Sequence, residues 1–426
     1  MLRSSLLRVI RTPQALRAYS TQAGLPDIDA SKLTITRTQT PKALKKPEDL
    51  IFGRNFTGIP AFPTTKSMNK TYDHMLSIEW TARSGWAAPR IIPYQNLSLD
   101  PATCVFHYGF ECFEGMKAYR SNVNGKPSIR IFRPHNNMRR LNKSSVRIAL
   151  PAFSVEEMTK CLATFVNLEQ RFIPDKRGYS LYLRPTMIGT QSTLGVGSPG
   201  SALLFVIASP VGPYYPTGFK AVSLEATSRY IRAWPGGVGD MKLGGNYAPC
   251  IVPQLDAASR GFHQNLWLFG EEGYVTEVGT MNLFTAWITP EGRKEIVTAP
   301  LDGTILEGIT RDCILALARE HLTKEGWEVS ERKFTIGEMA KAADEGRLVE
   351  AFGSGTAAVV SPIRRIAWDG GIGGTPRDIM IPLQEGKEAG ALAERLWKWM
   401  EERQYGDVES EWRLVSPTHP SSTLTR

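Results

Sequence analysis

No stretch of this sequence approaches the roughly 20 consecutive apolar residues that a bilayer-spanning helix requires. A membrane partner is therefore not expected. Cysteine is scarce: Cys104, Cys112, Cys161, Cys250 and Cys313 are five in 426 residues, an odd number, with no CxxC pair and no metal-ligand spacing. A disulfide framework is not expected, and reduced, buried thiols are expected instead. The six histidines form no HExxH or comparable helix pair, so no metal site is expected. Basic clusters interleaved with aromatic residues are missing as well, which leaves nucleic-acid binding without support. No internal repeat is visible.

Acidic residues are absent from the opening "MLRSSLLRVIRTPQALRAYSTQAG", which carries Arg3, Arg8, Arg11 and Arg17 before the first acid, Asp27. Leucines and Val9 interleave with arginines and serines as on an amphipathic helix. That is the composition of a mitochondrial presequence over residues 1–26, with the matrix as destination; a basic N-terminal helix of the mature fold is the alternative. Removing the four arginines takes the net charge from +9 to +5. The remainder, with 42% hydrophobic and 22% charged residues, suits a globular enzyme.

At roughly 100–200 residues per domain, this length predicts two domains. "SPVGPYYPTGFK", residues 209–220, lies between "SALLFVIA" and "AVSLEATS", which both read as strands. The expected boundaries are a first domain over 27–210, a linker over 211–217, a second domain over 218–415 and a disordered tail over 416–426. "PSIRIFRPHNNMRRLNKSSVRIAL" reads as strand, proline turn and helix. In "SVEEMTKCLATFVNLEQRF", Ser154 is the expected N-cap of an amphipathic helix, with Glu157 three residues on. "QNLWLFGEEGYVTEVGTMNLFTAW" reads as two strands around a glycine turn, "GITRDCILALAREHL" as a helix, and "RLVEAFGSGTAAVVSPI" as a strand that breaks at glycines and resumes. The class is α+β with antiparallel pairs, without the regular alternation of a doubly wound sheet.

In "GGVGDMKLGGNYAP", residues 236–249, five glycines surround Lys242. Either this is a surface turn that carries a lysine, or the amine is reactive and bare backbone lets a planar ligand approach. Glu277 of "TEVGTMNLF" sits in a strand of apolar and small residues, where a carboxylate needs a partner. A structural arginine would serve, and so would a protonated pyridine nitrogen. Tyr247 offers a phenol five residues beyond Lys242. Gly308 opens a helix whose Ile309 and Thr310 amides would meet a phosphate, unless the helix is simply capped. Gly353, Gly355 and Thr356 form a second possible anion nest. Arg140 could add a charged fork, or lie on a solvated helix face. An aldehyde for the amine, a pyridine nitrogen for the acid, a phenolate oxygen for the phenol and a phosphate for the amides describe a single ligand, pyridoxal 5′-phosphate.

Several long segments carry a resemblance: "FHYGFECFEGMKAYR", "YLRPTMIGT", "RAWPGGVGDMKLGGNYAP", "TEVGTMNLF", "LDGTILEGITRD" and "EAFGSGTAAVVSPI". From about residue 50 to 405 the chain resembles the branched-chain amino acid aminotransferases, pyridoxal-phosphate enzymes of fold type IV. The resemblance implies a small α/β N-terminal domain, a larger C-terminal domain with an antiparallel sheet or pseudo-barrel, and a homodimer. Its reaction would move the amino group of leucine, isoleucine or valine to 2-oxoglutarate. It makes Lys242 the lysine that bonds the cofactor aldehyde, Glu277 the partner of the ring nitrogen and Tyr247 a contact of the ring oxygen. Arg140, Ile309, Thr310 and Thr356 would hold the phosphate. The substrate pocket would comprise Phe52, Tyr108, Phe113, Tyr182, Arg184, Thr280 and Ala357. Two departures stand out. Ala358 and Ser361 occupy the positions of a redox-active CxxC in the vertebrate enzymes, so thiol regulation is not implied; and residues 57–72 look like an insertion.

Overall fold

The computed structural model describes residues 24–50, 73–123, 125–214, 219–371 and 373–416. The expected presequence up to residue 23, Phe52 and the expected insertion at 57–72 lie outside the described residues.

Two sheets organise the chain, one on each side of residue 212. The first has ten strands. Its long members are β1 (His74–Thr81), β3 (Met116–Val123), β4 (Lys126–Phe132), β5 (Ser180–Gly189) and β6 (Ser201–Val211), with the short β2 (Glu111–Phe113) alongside β5. Neighbours from β1 through β6, β5 and β3 to β4 are antiparallel. Helices α1 (Pro134–Arg147) and α2 (Val155–Leu168) cover one face, where Met138, Leu141, Leu162 and Phe165 pack against Leu76, Ile131 and Leu183. In α2 the buried residues Met158, Cys161, Leu162 and Phe165 recur at helical spacing, so the helix exists to bury that stripe. Ser154 caps it as expected, accepting the Glu157 amide at 3.3 Å. The Glu157 carboxylate does not return to the cap; it accepts the Ala30 amide at 2.9 Å and ties the N-terminal segment down.

Side chains alternate along β5. Leu181 and Leu183 enter the core, which leaves Tyr182 and Arg184 together on the other face. That face is turned toward the second half of the molecule.

The second sheet contains β7 (Val222–Thr227), β8 (Gln264–Phe269), β9 (Tyr274–Val278), β10 (Met281–Ile288), β11 (Lys294–Thr298), β12 (Trp327–Glu331), β13 (Leu348–Gly355) and β14 (Val359–Trp368). Strands β9, β8, β7, β14, β13 and β10 follow one another, and β10 pairs again with β9, so six strands close a barrel. Helix α5 (Ile336–Asp344) packs its Met339 among Leu224, Leu266 and Leu283, while α4 (Ile309–Leu317) and α6 (Ala391–Tyr405) pack on Phe284 and Phe352.

Three expectations change. The segment 264–288 forms three strands, because Gly279 at φ +56 turns the chain a second time after the turn at 270–273. Strand β7 runs parallel to both neighbours, β8 and β14. Parallel neighbours require a long crossover, and residues 228–263 supply one that carries Lys242 and α3 (Ile251–Ser259). Finally, residues 413–416 pair with β4 of the first sheet, so the chain returns to the half it began in, and Ser416 closes a strand. Pro26 likewise accepts the Trp86 amide at 2.9 Å and belongs to the folded body.

Candidate active site

The crossover from β7 to β8 is pressed onto the first half of the molecule at Lys242. Its amide donates to Ser144 Oγ of α1 at 2.9 Å, and its carbonyl accepts the Phe113 amide at 3.1 Å. A Cβ at position 244 would overlap the Glu111 carboxylate, so glycine there permits the close approach of crossover to β2. With the backbone held on both sides, the side chain has one direction left. The Lys242 amine donates to Tyr247 Oη at 2.8 Å and sits 4.8 Å from the centre of the Phe113 ring.

That amine opens into a cavity of about 300 Å³ between the barrel and the β5 face. Phe113, Arg140, Tyr182, Arg184, Lys242, Tyr247, Glu277, Thr280, Ile309, Thr310, Thr356 and Ala357 all line it. Of the residues singled out in the sequence, Tyr108 does not. It ends a one-turn helix at Cys104–Tyr108 on the exterior, where its hydroxyl donates to the Leu194 carbonyl. Size does not select this cavity: a larger one of about 540 Å³ lies outside the barrel and includes Arg260 paired with Glu225 and Asp256.

The electrostatics of the wall decide what it can hold. Glu277 is buried, with one carboxylate oxygen accepting the Leu306 amide at 2.8 Å and Asn282 Nδ2 at 3.1 Å, and the other facing Arg232 at 2.9 Å. Burial pushes its carboxyl above the ordinary range despite the nearby Arg232. Arg140 is gripped by Glu114 at 2.6 and 2.8 Å and donates to the Glu307 carbonyl at 2.8 Å, which fixes the guanidinium at the cavity edge.

Donors without acceptors mark where a ligand belongs. Gly308 gives α4 no side-chain cap, and a Cβ there would overlap the Asn282 amide oxygen. The first-turn amides of Ile309 and Thr310 therefore remain available at the positive end of the helix. Among the described residues the amides of Thr356, Ala357 and Ala358 also lack a protein acceptor. Arg184 lies 4.7 Å from the Phe113 ring centre and donates to Tyr182 Oη at 3.0 Å, while its buried Nε has no partner among the described residues. A Cβ at Gly115 would overlap that same Tyr182 hydroxyl. Two sets of free amides, a fixed guanidinium, an amine and a buried acid fit a planar, phosphate-bearing, basic ring together with an anionic substrate.

The sequence did not reveal Arg232, Glu114, Asn282 or Ser144. A structural arginine was one of two partners open to Glu277, but nothing marked Arg232 as that arginine. Elsewhere, Asp73, His74 and Glu169 converge within 4.8 Å. Their atoms are already engaged: His74 Nδ1 with Glu169 at 2.6 Å, His74 Nε2 with the Thr38 amide at 2.9 Å, and Asp73 with Arg171 at 2.6 Å. This trio anchors the N-terminal segment.

Residues 111–366, more than half the chain, match the Amino-transferase class IV family. The mitochondrial branched-chain-amino-acid aminotransferase of Saccharomyces cerevisiae is 54% identical over 395 residues, covering 92% of this chain and 94% of that one. The cytosolic enzyme of the same yeast is 54% identical over 393 residues, covering 92% and 98%. Among solved structures, the branched-chain amino acid aminotransferase of Thermobaculum terrenum in its PLP form superposes with a TM-score of 0.58 at 24% identity, over 82% of this chain and 100% of that one.

Proposed function

This chain belongs to the class IV aminotransferases, in their branched-chain-amino-acid branch, and from that premise we propose that its cavity holds pyridoxal 5′-phosphate. The enzyme moves the amino group of L-leucine, L-isoleucine or L-valine to 2-oxoglutarate. Branched 2-oxo acids and L-glutamate result, in a reversible ping-pong cycle. The observation that carries this reading is the single 300 Å³ cavity in which the Lys242 amine, the buried Glu277 and two sets of free amides meet.

When bound, the cofactor supplies an aldehyde that condenses with amines and a protonated ring that accepts electrons released at the substrate Cα. Lys242, whose amine opens into the cavity, would hold that aldehyde. Beside Tyr247 Oη, the same amine would be placed to take and return the proton of the substrate Cα. Glu277 keeps a carboxylate at the cavity floor, where Arg232, Asn282 and the Leu306 amide fix its direction. Tyr247 places its hydroxyl beside the amine. The Ile309, Thr310 and Thr356 amides, with Arg140, hold the phosphate, and Arg140 can do so because Glu114 has already set its plane.

Substrates share an α-carboxylate, which the Thr356 and Ala357 amides receive. They differ beyond it. Phe113, Tyr182 and Thr280 line a slot for an aliphatic side chain, with Phe52 assigned there by the resemblance. The orphaned Nε of Arg184, next to the Tyr182 hydroxyl, supplies a donor for the distal carboxylate of 2-oxoglutarate.

We further infer a homodimer in the mitochondrial matrix. Leu194 and Val196, beside Tyr108, are 67% and 80% exposed, and Val252 on α3 is 65% exposed, which suits faces covered by a second copy. Tyr108 would then serve the pocket of the neighbouring copy. Mitochondrial and cytosolic relatives are equally similar, so the matrix assignment rests on the four arginines of the opening segment.

Incubating the holoenzyme with 2-oxoglutarate and each amino donor tests the activity. Glutamate forms from leucine, isoleucine and valine, and not from D-alanine; equal turnover of D-alanine would overturn the substrate assignment.

A further inference from the structure

The cavity wall formed by β5 continues onto β2, and the register fixes which β2 side chains belong to it. Phe113 pairs with Thr186 and Glu111 with Ile188, while Cys112 and its partner Met187 lie in the core. Strand alternation therefore sets Glu111 and Phe113 on the same face as Tyr182 and Arg184. Two cations converge on the middle of this wall. The Arg184 guanidinium carbon lies 4.7 Å from the centre of the Phe113 ring, and the Lys242 amine lies 4.8 Å from it. Glu111 is the next side chain along the same face of β2.

An acid at this place needs an explanation. Burial pushes the Glu111 carboxyl above its ordinary range, and the Gly244 backbone, Arg184 and Lys242 act against that shift. One carboxylate oxygen lies so near Gly244 that a Cβ there would overlap it. Yet among the described residues no cation closes onto Glu111 as an ion pair. Glu114, by contrast, is spent on Arg140. The contact with Gly244 asks only for an uncharged acceptor, which glutamine would supply without burying a charge. What Glu111 adds over glutamine is its negative charge, and the cations that feel it are Arg184 and Lys242.

We propose that Glu111 is a specificity-determining residue: its negative charge offsets Arg184 and so weighs against substrates that carry a second carboxylate. The inference rests on the reading given above, in which Arg184 receives the distal carboxylate of 2-oxoglutarate. Leucine, isoleucine and valine bring no anion to that end of the cavity, and Glu111 then serves as the counter-charge of Arg184. A distal carboxylate meets both groups, so repulsion from Glu111 cancels part of its attraction to Arg184. The α-carboxylate is common to both substrate classes and drops out of the comparison. Glu111 is not among the cavity-lining residues and touches no substrate; it acts through the charge it sets beside Arg184.

Steady-state kcat/KM of the holoenzyme for 2-oxoglutarate and for 4-methyl-2-oxopentanoate, the oxo acid of leucine, tests this. Glu111→Gln raises the ratio of the first to the second about fivefold, the effect of removing one partly screened like charge. Its value for the branched oxo acid stays within about twofold of wild type. Glu111→Asp keeps the charge and stays near the wild-type ratio. An unchanged ratio in Glu111→Gln overturns the proposal, and so does a shift in Glu111→Asp as large as that in Glu111→Gln. A parallel loss for both oxo acids overturns it too, being the mark of a Lys242 segment disturbed through Gly244. Should Glu111→Gln not fold, Glu111→Ala, also uncharged, is held to the same ratio. Arg184→Met separates this from the assignment beneath it. An unchanged ratio in that variant removes Arg184 from the distal carboxylate, whereas a lowered ratio there with no change in Glu111→Gln removes only Glu111.

Discussion

At the scale of single residues, Lys242 depends on partners far from it in sequence. Ser144 and Phe113 fix its backbone, and Tyr247 takes its amine. On the roles proposed for it, substituting Lys242→Ala removes both the covalent anchor and the proton carrier, so kcat falls about 10³-fold or more, read by steady-state glutamate production. Arg184→Met removes the donor proposed for the distal carboxylate of the dicarboxylic substrate. Its kcat/KM for 2-oxoglutarate drops about tenfold or more while that for leucine stays within about threefold. Equal losses would remove Arg184 from substrate selection. Arg232→Met leaves Glu277 buried without its ion-pair partner and destabilises the fold by about 3–5 kcal/mol, seen as a lower denaturation midpoint. Of this residue set, Lys242, Tyr247 and Glu277 were legible, since an amine among glycines and an acid in an apolar strand each demand an explanation. Arg232 was not. It lies in an irregular crossover where no periodicity points to a partner, and its pairing with Glu277 exists only once the barrel brings the two together.

Helix and strand ends carry the next level. Helix α4 begins without a side-chain cap, which leaves its amides for a ligand. Helix α6 is served differently: Glu350 of β13 accepts the Leu392 and Ala393 amides, both at 2.9 Å. Burial nevertheless raises its carboxyl to about 7. The folded protein thus keeps a proton that the unfolded chain releases near the ordinary glutamate value of about 4.3. Stability from this group is complete below that value and is lost as pH rises through about 7, by up to about 3 kcal/mol. Glu350→Gln keeps an uncharged acceptor, so calorimetry finds its melting temperature raised relative to wild type at pH 8 and little changed at pH 5. A constant offset across that range would contradict the assignment. Among the elements, α2 and its Ser154 cap were readable from the 3.6-residue stripe. The third strand of 264–288 and the parallel setting of β7 were not, because a short glycine turn and a long crossover decide them, and neither leaves a periodic trace.

For the whole molecule, the active site is a product of two halves that meet. Contacts such as Lys117 with Ala357, and Arg177 with Glu401 and Asp407, join the first sheet to the barrel and its last helix. The strands on either side of the proline- and glycine-rich segment near residue 212 were readable; the return of residues 413–416 to the first sheet was not, since a four-residue strand has no signature of its own. Ile251, Val252 and Leu255 form an exposed apolar face on α3. If a second copy covers it, sedimentation gives a dimer for wild type and a monomer for Val252→Asp combined with Leu255→Asp; an unchanged species would place the interface elsewhere.

The proposed covalent bond between Lys242 and the cofactor underlies all three scales. Reducing the active holoenzyme with borohydride and mapping its peptides locates that bond directly. The account predicts a phosphopyridoxyl group on the ε-nitrogen of Lys242 and none elsewhere. A label on another lysine, or no label in a fully active preparation, would contradict it.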